Sequence, residues 1–147
     1  MRNTSYPTIQ ESQRLVAVSH EAQFVKQSVE SSYSSFIGQS IFVQELYKQE
    51  LKKRFEFYSS IWKNETLFSS NISDITNNAA YRSIIGLGYS VVPLILEDLR
   101  QNDSHWFYAL NILTGENPIS DNHKGIFPLM KKDWLDWAHS NIEVNEN

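Results

Sequence analysis

The chain has no cysteine in its 147 residues. A disulfide scaffold, thiol catalysis, a zinc ribbon and an iron–sulfur cluster are thereby excluded. Long apolar runs are missing too. The longest, Val91 to Leu96, is far short of the roughly 20 residues that cross a bilayer, so no membrane association is expected. No apolar stretch follows the polar Met1 to Tyr6, so no secretory signal is expected either. The three Asn-X-Ser/Thr sequons, at Asn64, Asn71 and Asn102, then read as chance. A cysteine-free chain without a leader fits a cytoplasmic location. Positive charge is not in excess: the net charge is -4 and the pI about 5.5. That weakens a generic nucleic-acid role, although a local basic patch can exist on an acidic protein.

Hydrophobic residues make up 41% of the chain and aromatic residues 13%, a globular rather than a disordered composition. The length allows one domain, or a domain with an arm, and a core that needs no metal or disulfide. No internal repeat has a fixed period. Near residue 78 the character changes from Ser, Gln and Glu-rich to a segment holding three of the four prolines, four of the five glycines and three of the four tryptophans.

The pattern predicts an all-α protein: a helical bundle or short HEAT-like array over residues 40–139, an N-terminal helical arm over 1–39 and a frayed tail over 140–147. In the arm, Thr8 and Glu11 have capping-box spacing, and Leu15, Val18, Ala22, Val25 and Val29 recur at helical steps. Arg14 to Ser19 also reads as a short strand, and Ser28 to Ser35 is a weak helix former. From Ser40 to Asn64, Val43, Leu46, Tyr47, Leu51, Phe55, Tyr58 and Trp62 trace an apolar stripe. Glu50 and Arg54 form a favourable i,i+4 pair. A polar connection, Ser69 to Asn78, follows.

Three short helices are expected beyond it. Ala79 to Leu87 is stopped by Gly88. The second starts at Ser90 as N-cap, with Pro93 in its first turn. Val92, Ile95, Leu96 and Leu99 are its buried stripe, and Glu97, Asp98, Arg100 and Gln101 face water. The third starts at Ser104, buries Trp106, Ala109, Leu110 and Leu113, and stops at Gly115. A loop, Glu116 to Gly125, leads to a last helix, Pro128 to His139, with Met130, Trp134, Trp137 and Ala138 on its apolar face. The short connections favour antiparallel neighbours.

The run Ile85-Gly86-Leu87-Gly88-Tyr89-Ser90-Val91-Val92-Pro93-Leu94-Ile95-Leu96-Glu97-Asp98-Leu99 resembles one HEAT-type helical hairpin. Such hairpins serve as scaffolds in unrelated proteins. A wider pattern joins Trp62…Glu65-Thr66, Tyr81…Ile84-Ile85-Gly86-Leu87-Gly88…Pro93-Leu94-Ile95-Leu96, His105-Trp106-Phe107, Leu113-Thr114-Gly115-Glu116-Asn117-Pro118 and Trp134-Leu135-Asp136-Trp137. It resembles a family of small, uncharacterised bacterial proteins associated with mobile or accessory genome regions. The resemblance covers about residues 54–139 and implies no activity, ligand or catalytic residue. The family's last motif usually continues from Trp into Gly, whereas here Ala138 and His139 follow Trp137.

Few residues invite a chemical reading. His105, Glu116 and His123 would be an acid–base set if the fold gathered them, but His105 and Glu116 bracket a helix roughly 16 Å long. Packing and capping explain those segments more simply. The four histidines lack the i,i+4 spacing of a helical zinc site, and no cofactor is implied. Gly86-Leu87-Gly88 is not a phosphate loop, and no serine nucleophile elbow occurs. The tryptophans read as core rather than base-stacking platforms. Lys48, Lys52, Lys53 and Arg54 form a basic cluster, but Glu45, Glu50 and Glu56 are interleaved, as on a solvated salt-bridged face. Tyr108 or Phe107 is expected to be exposed and open to a partner. The expected function is a non-enzymatic interaction or scaffold module, binding a protein partner or itself. A nucleic-acid accessory using Lys48 to Arg54, and an enzyme using His105 and Glu116, are the alternatives.

Overall fold

The structure is a computed structural model that describes residues 8–142. Among them every regular element is helical, so the all-α expectation holds. The chain divides into two units, Met1–Leu46 and Tyr47–Asn147.

Helix α1 (Ile9–Glu65) starts in the first unit and ends in the second. The capping box forms as its spacing predicts. The Thr8 backbone N–H donates to Glu11 Oε2 at 2.9 Å, and the Glu11 N–H donates to Thr8 Oγ1 at 3.3 Å. Two start-of-helix donors are thus satisfied reciprocally. The strand reading of Arg14 to Ser19 is not realised, and the serine-rich stretch Ser28 to Ser35 is helical throughout. Propensity is a weak prior, and no proline interrupts this span. The expected Met1 to Tyr6 opening and the tail over 143–147 lie outside the described residues, as does the side chain of Leu15.

In the second unit Leu51, Phe55 and Trp62 of α1 are buried, so the apolar stripe read from the sequence is covered only from Leu51 onward. Val43, Leu46 and Tyr47 are exposed. The connection expected to be irregular between Ser69 and Asn78 contains a short helix, α2 (Ile72–Thr76), capped by the Asn71 side chain on the Ser73 N–H. Its Ile75 is buried, and its carbonyl accepts the Trp62 indole N–H at 3.0 Å. That remote anchor has no local signature.

Helix α3 (Ala79–Ile85) is capped by Asn78, whose side chain accepts from the N–H groups of Ala80 and Tyr81. It ends before Gly86. Gly88 has φ 80 and turns the chain into a 3-10 turn, Tyr89–Val91. Ser90 lies inside that turn and caps nothing. The N-cap of α4 (Val92–Gln101) is Val91, with Pro93 in the first turn as expected. Val92, Ile95, Leu96 and Leu99 are all buried.

Helix α5 (Phe107–Thr114) has no side-chain cap from Ser104. Its first turn is held from elsewhere: the Tyr81 hydroxyl donates to the His105 carbonyl at 3.0 Å and accepts from the Ala109 N–H at 3.0 Å. Gly115 ends α5 at φ 72, as the sequence predicts. A 3-10 turn, Asp121–His123, precedes α6 (Phe127–Asn141), which runs two residues past His139.

The core is aromatic at its centre. Trp106 lies 4.4 Å from Trp62, 5.5 Å from Tyr81 and 5.7 Å from Phe55 between ring centroids. Such contacts add to the area that large rings bury. Trp134 is fully buried, and among the described residues its indole N–H has no hydrogen-bond partner; the buried Ser59 hydroxyl has none either. Among the described residues no single helix is long and apolar enough to cross a membrane. Ala79–Ile85 with Tyr89–Gln101 reach that composition only as a pair bent by 102°, and their apolar residues form the core just described.

Candidate functional site

The three residues weighed for acid–base chemistry are not brought together. The His105 ring meets Phe127 edge-on at 5.1 Å and Phe107 at 6.4 Å. Burial of the imidazole lowers its proton affinity below the ordinary histidine range. His123 Nδ1 lies 2.8 Å from Asp133 Oδ2, on α6, and the same oxygen accepts the Ser120 N–H at 3.2 Å. The hydrogen bond from His123, with that from Ser120, holds the Asp133 carboxyl below its usual range. This pair pins the Glu116–Gly125 loop to α6. Glu116 is exposed, and its contacts run through its backbone: its carbonyl accepts from Asn111 Nδ2 and its N–H donates to Thr114 Oγ1. Among the described residues no three His, Cys, Asp or Glu side chains gather as a metal site would require.

His105 does line a concave surface, together with Phe107, Tyr108, Phe127, Met130 and Ile72. The groove holds about 380 Å³, within the range of small-ligand sites. Its wall is apolar, and His105 and Tyr108 are its titratable members. It can accept an apolar or aromatic group but offers no paired acid and base. Tyr108 is the exposed member of the Phe107–Tyr108 pair, at 51%. Phe127 completes the groove, its ring tilted at 52° to that of Phe107 with centroids 5.0 Å apart. The sequence reading missed it, because only a residue's position after the Glu116–Gly125 loop, and no local motif, marks it.

The basic cluster is partly neutralised. Arg54 Nε donates to Glu50 Oε1 at 3.0 Å, and Lys52 lies 3.9 Å from Glu56. Lys48 and Lys53 are exposed and make no ion pair among the described residues. Exposed i,i+4 pairs are worth a few tenths of a kcal/mol, so this face reads as a solvated surface.

Asp98 was expected to face water. It is instead largely covered, with Lys63 Nζ at 2.6 Å from Oδ1 and the Trp106 indole N–H at 2.7 Å from Oδ2. Burial alone would raise its proton affinity. The hydrogen bonds from Lys63 and Trp106, the Lys63 charge and the Ser104 hydroxyl outweigh that and hold it below the usual carboxylate range. Lys63 precedes Asp98 by 35 positions, so no local spacing announces the pair. Ser104 thus serves a carboxylate rather than a helix end.

The largest feature without an intrachain explanation lies in the first unit. Phe24, Val25, Val29, Tyr33, Phe36 and Ile41 are all more than half exposed along α1. Scattered exposed apolar residues are ordinary, but Val25, Val29 and Phe36 lie on one side of α1 and form a contiguous stretch of the kind that marks an interaction surface. Comparison with known protein families, with curated proteins and with solved structures finds no match.

Proposed function

We propose that this chain is a non-enzymatic interaction module, which presents the exposed apolar side of α1 to another protein chain. The observation that carries this reading is the series of exposed apolar side chains on one side of α1: Val18, Val25, Val29, Phe36, Val43 and Leu46. Leaving them in water gives up roughly 1.5–3 kcal/mol for each large side chain relative to burial. The second unit buries its own apolar core. The setting in a bacterial accessory system rests on the sequence resemblance alone.

The alternatives have less support. Two of the four cations between Lys48 and Arg54 are paired with glutamates, which lowers the charge open to phosphate. His105 and Glu116, on which an enzyme would depend, share no contact. The test is size-exclusion chromatography with light scattering, joined to a pull-down from the native host. A higher-order species that disappears in Phe36→Glu supports the reading. A free monomer in both experiments overturns it.

A further inference from the structure

The apolar side of the first unit follows a seven-residue pattern that identifies its occupant. With Val18 at position d of a heptad, the a positions are Ala22, Val29, Phe36 and Val43, and the remaining d positions are Val25, Ser32, Gln39 and Leu46. Every one is helical and exposed. Phe36 is 69% exposed, Val43 63% and Val29 61%. Apolar residues therefore fill all four a positions from Ala22 to Val43, roughly 32 Å of helix at 1.5 Å per residue. Apolar a and d positions held over three or four heptads are the signature of a coiled-coil seam; here the a positions are apolar throughout, and Ser32 and Gln39 interrupt the d series.

We propose that residues 18–46 pair with the same segment of a second copy of this chain, parallel and in register, as a two-stranded coiled coil. The proposal rests on the interaction-module reading above and names its partner.

Two polar positions set the orientation. In parallel register each layer meets itself, so Gln39 faces Gln39 and Ser32 faces Ser32, and both can hydrogen-bond across the seam. A fully overlapped antiparallel pair would put Gln39 against Ala22 and Ser32 against Val29. Each glutamine would then be buried without a partner, at about 1–3 kcal/mol. A polar residue at one core position is a known means of fixing register.

Charge gives the same answer. Glu21 occupies a g position and Lys26 the following e position. In a parallel pair g faces the next e of the other helix, so Glu21 of each copy meets Lys26 of the other. The antiparallel pair would bring Glu21 to Phe42 instead. The remaining e and g positions between Ser19 and Phe42 are Ser or aromatic, so the parallel arrangement creates no like-charge contact. β-branched Val29 and Val43 at a, with Leu46 at d, match the two-stranded pattern, whereas β-branched Val18 and Val25 at d do not.

The absence of native cysteine makes the test clean, because any introduced thiol is unique. Full-length chains carrying Ala22→Cys, Gln39→Cys or, on the opposite side of α1, Gln27→Cys are oxidised mildly, and the unmodified chain is sized by light scattering. The expected result is twice the 17.1 kDa chain mass. Ala22→Cys and Gln39→Cys each crosslink to themselves, and Gln27→Cys does not. Phe36→Glu weakens association by more than roughly tenfold, since it buries two facing charges, while its tryptophan emission stays native. Crosslinking only between mixed Ala22→Cys and Gln39→Cys chains shows antiparallel pairing and overturns the proposal, as does a trimer or larger species. A monomer also overturns it. If that monomer captures a host protein that Phe36→Glu fails to capture, the self-pairing is wrong and the interaction-module reading stands.

Discussion

The indole N–H of Trp106 donates to the carboxylate of Asp98 at 2.7 Å, tying a fully buried ring of the second unit to a largely covered acid. The same carboxylate takes Lys63 on its other oxygen. One side chain on α4 thus holds the end of α1 and the start of α5.

Replacing Asp98 by Asn keeps the shape and removes the charge. Hydrogen bonds to charged groups contribute about 1.5–3 kcal/mol, and a loss of about 2 kcal/mol is expected in urea unfolding followed by tryptophan emission. The acid limb should change as well. The folded-state proton affinity of Asp98 is lowered, so its contribution is present above the unfolded carboxylate value of about 4 and is lost as pH falls through the folded value. In Asp98→Asn, stability should therefore fall less steeply below pH 4 than in the unmodified chain.

Tyr81→Phe isolates the remote cap of α5. The ring and its contacts with Trp62 and Trp106 remain, and the hydroxyl that serves His105 and Ala109 is lost. The buried Ala109 N–H is left without its acceptor, so a loss of about 1–3 kcal/mol is expected. Amide exchange at Ala109 should rise more than at Leu99, in the middle of the core. Equal protection at the two positions would contradict the capping role.

Ser59→Ala should be neutral or stabilising. Its buried hydroxyl has no partner, so removing it deletes a desolvated polar group and leaves a cavity smaller than a methyl group. A drop of more than about 1 kcal/mol in chemical unfolding would mean that the hydroxyl has a partner after all.

His105 gives a pH dependence of its own. Burial lowers its proton affinity, so the unfolded chain binds the proton more readily. The contribution is intact above an imidazole's ordinary value of about 6.5 and is lost as pH falls through the lower folded value. His105→Gln should shrink the difference in melting temperature between pH 7.5 and pH 5. An unchanged difference would show that the ring stays solvated against Phe127.

Much of the second unit was legible because its signals are local. Gly115 at positive φ, Pro93 in a first turn and the spacing of Val92, Ile95, Leu96 and Leu99 each act within a few residues. The errors came where long-range partners decided. Ser90 and Ser104 have the composition of N-caps, but a 3-10 turn absorbed the first and a carboxylate engaged the second. Ile72 to Thr76 forms a helix where polar composition pointed to a loop, with a distant tryptophan bonded to its Ile75 carbonyl. The side chains weighed as a site were recognisable by type. The separation of His105 from Glu116 was legible in the helix between them; the placement of His123 was not, because the loop bearing it is fixed by Asp133 on another element.

All four tryptophans belong to Tyr47–Asn147. Indole emission consequently reports on one unit and is blind to the other, whereas far-ultraviolet ellipticity weights α1 most heavily. The two signals should melt apart. The fluorescence midpoint should stay fixed as protein concentration changes, and the early loss of ellipticity should move upward with concentration, since pairing enters that transition by mass action. A single melting temperature would then be a property of the detector rather than of the molecule.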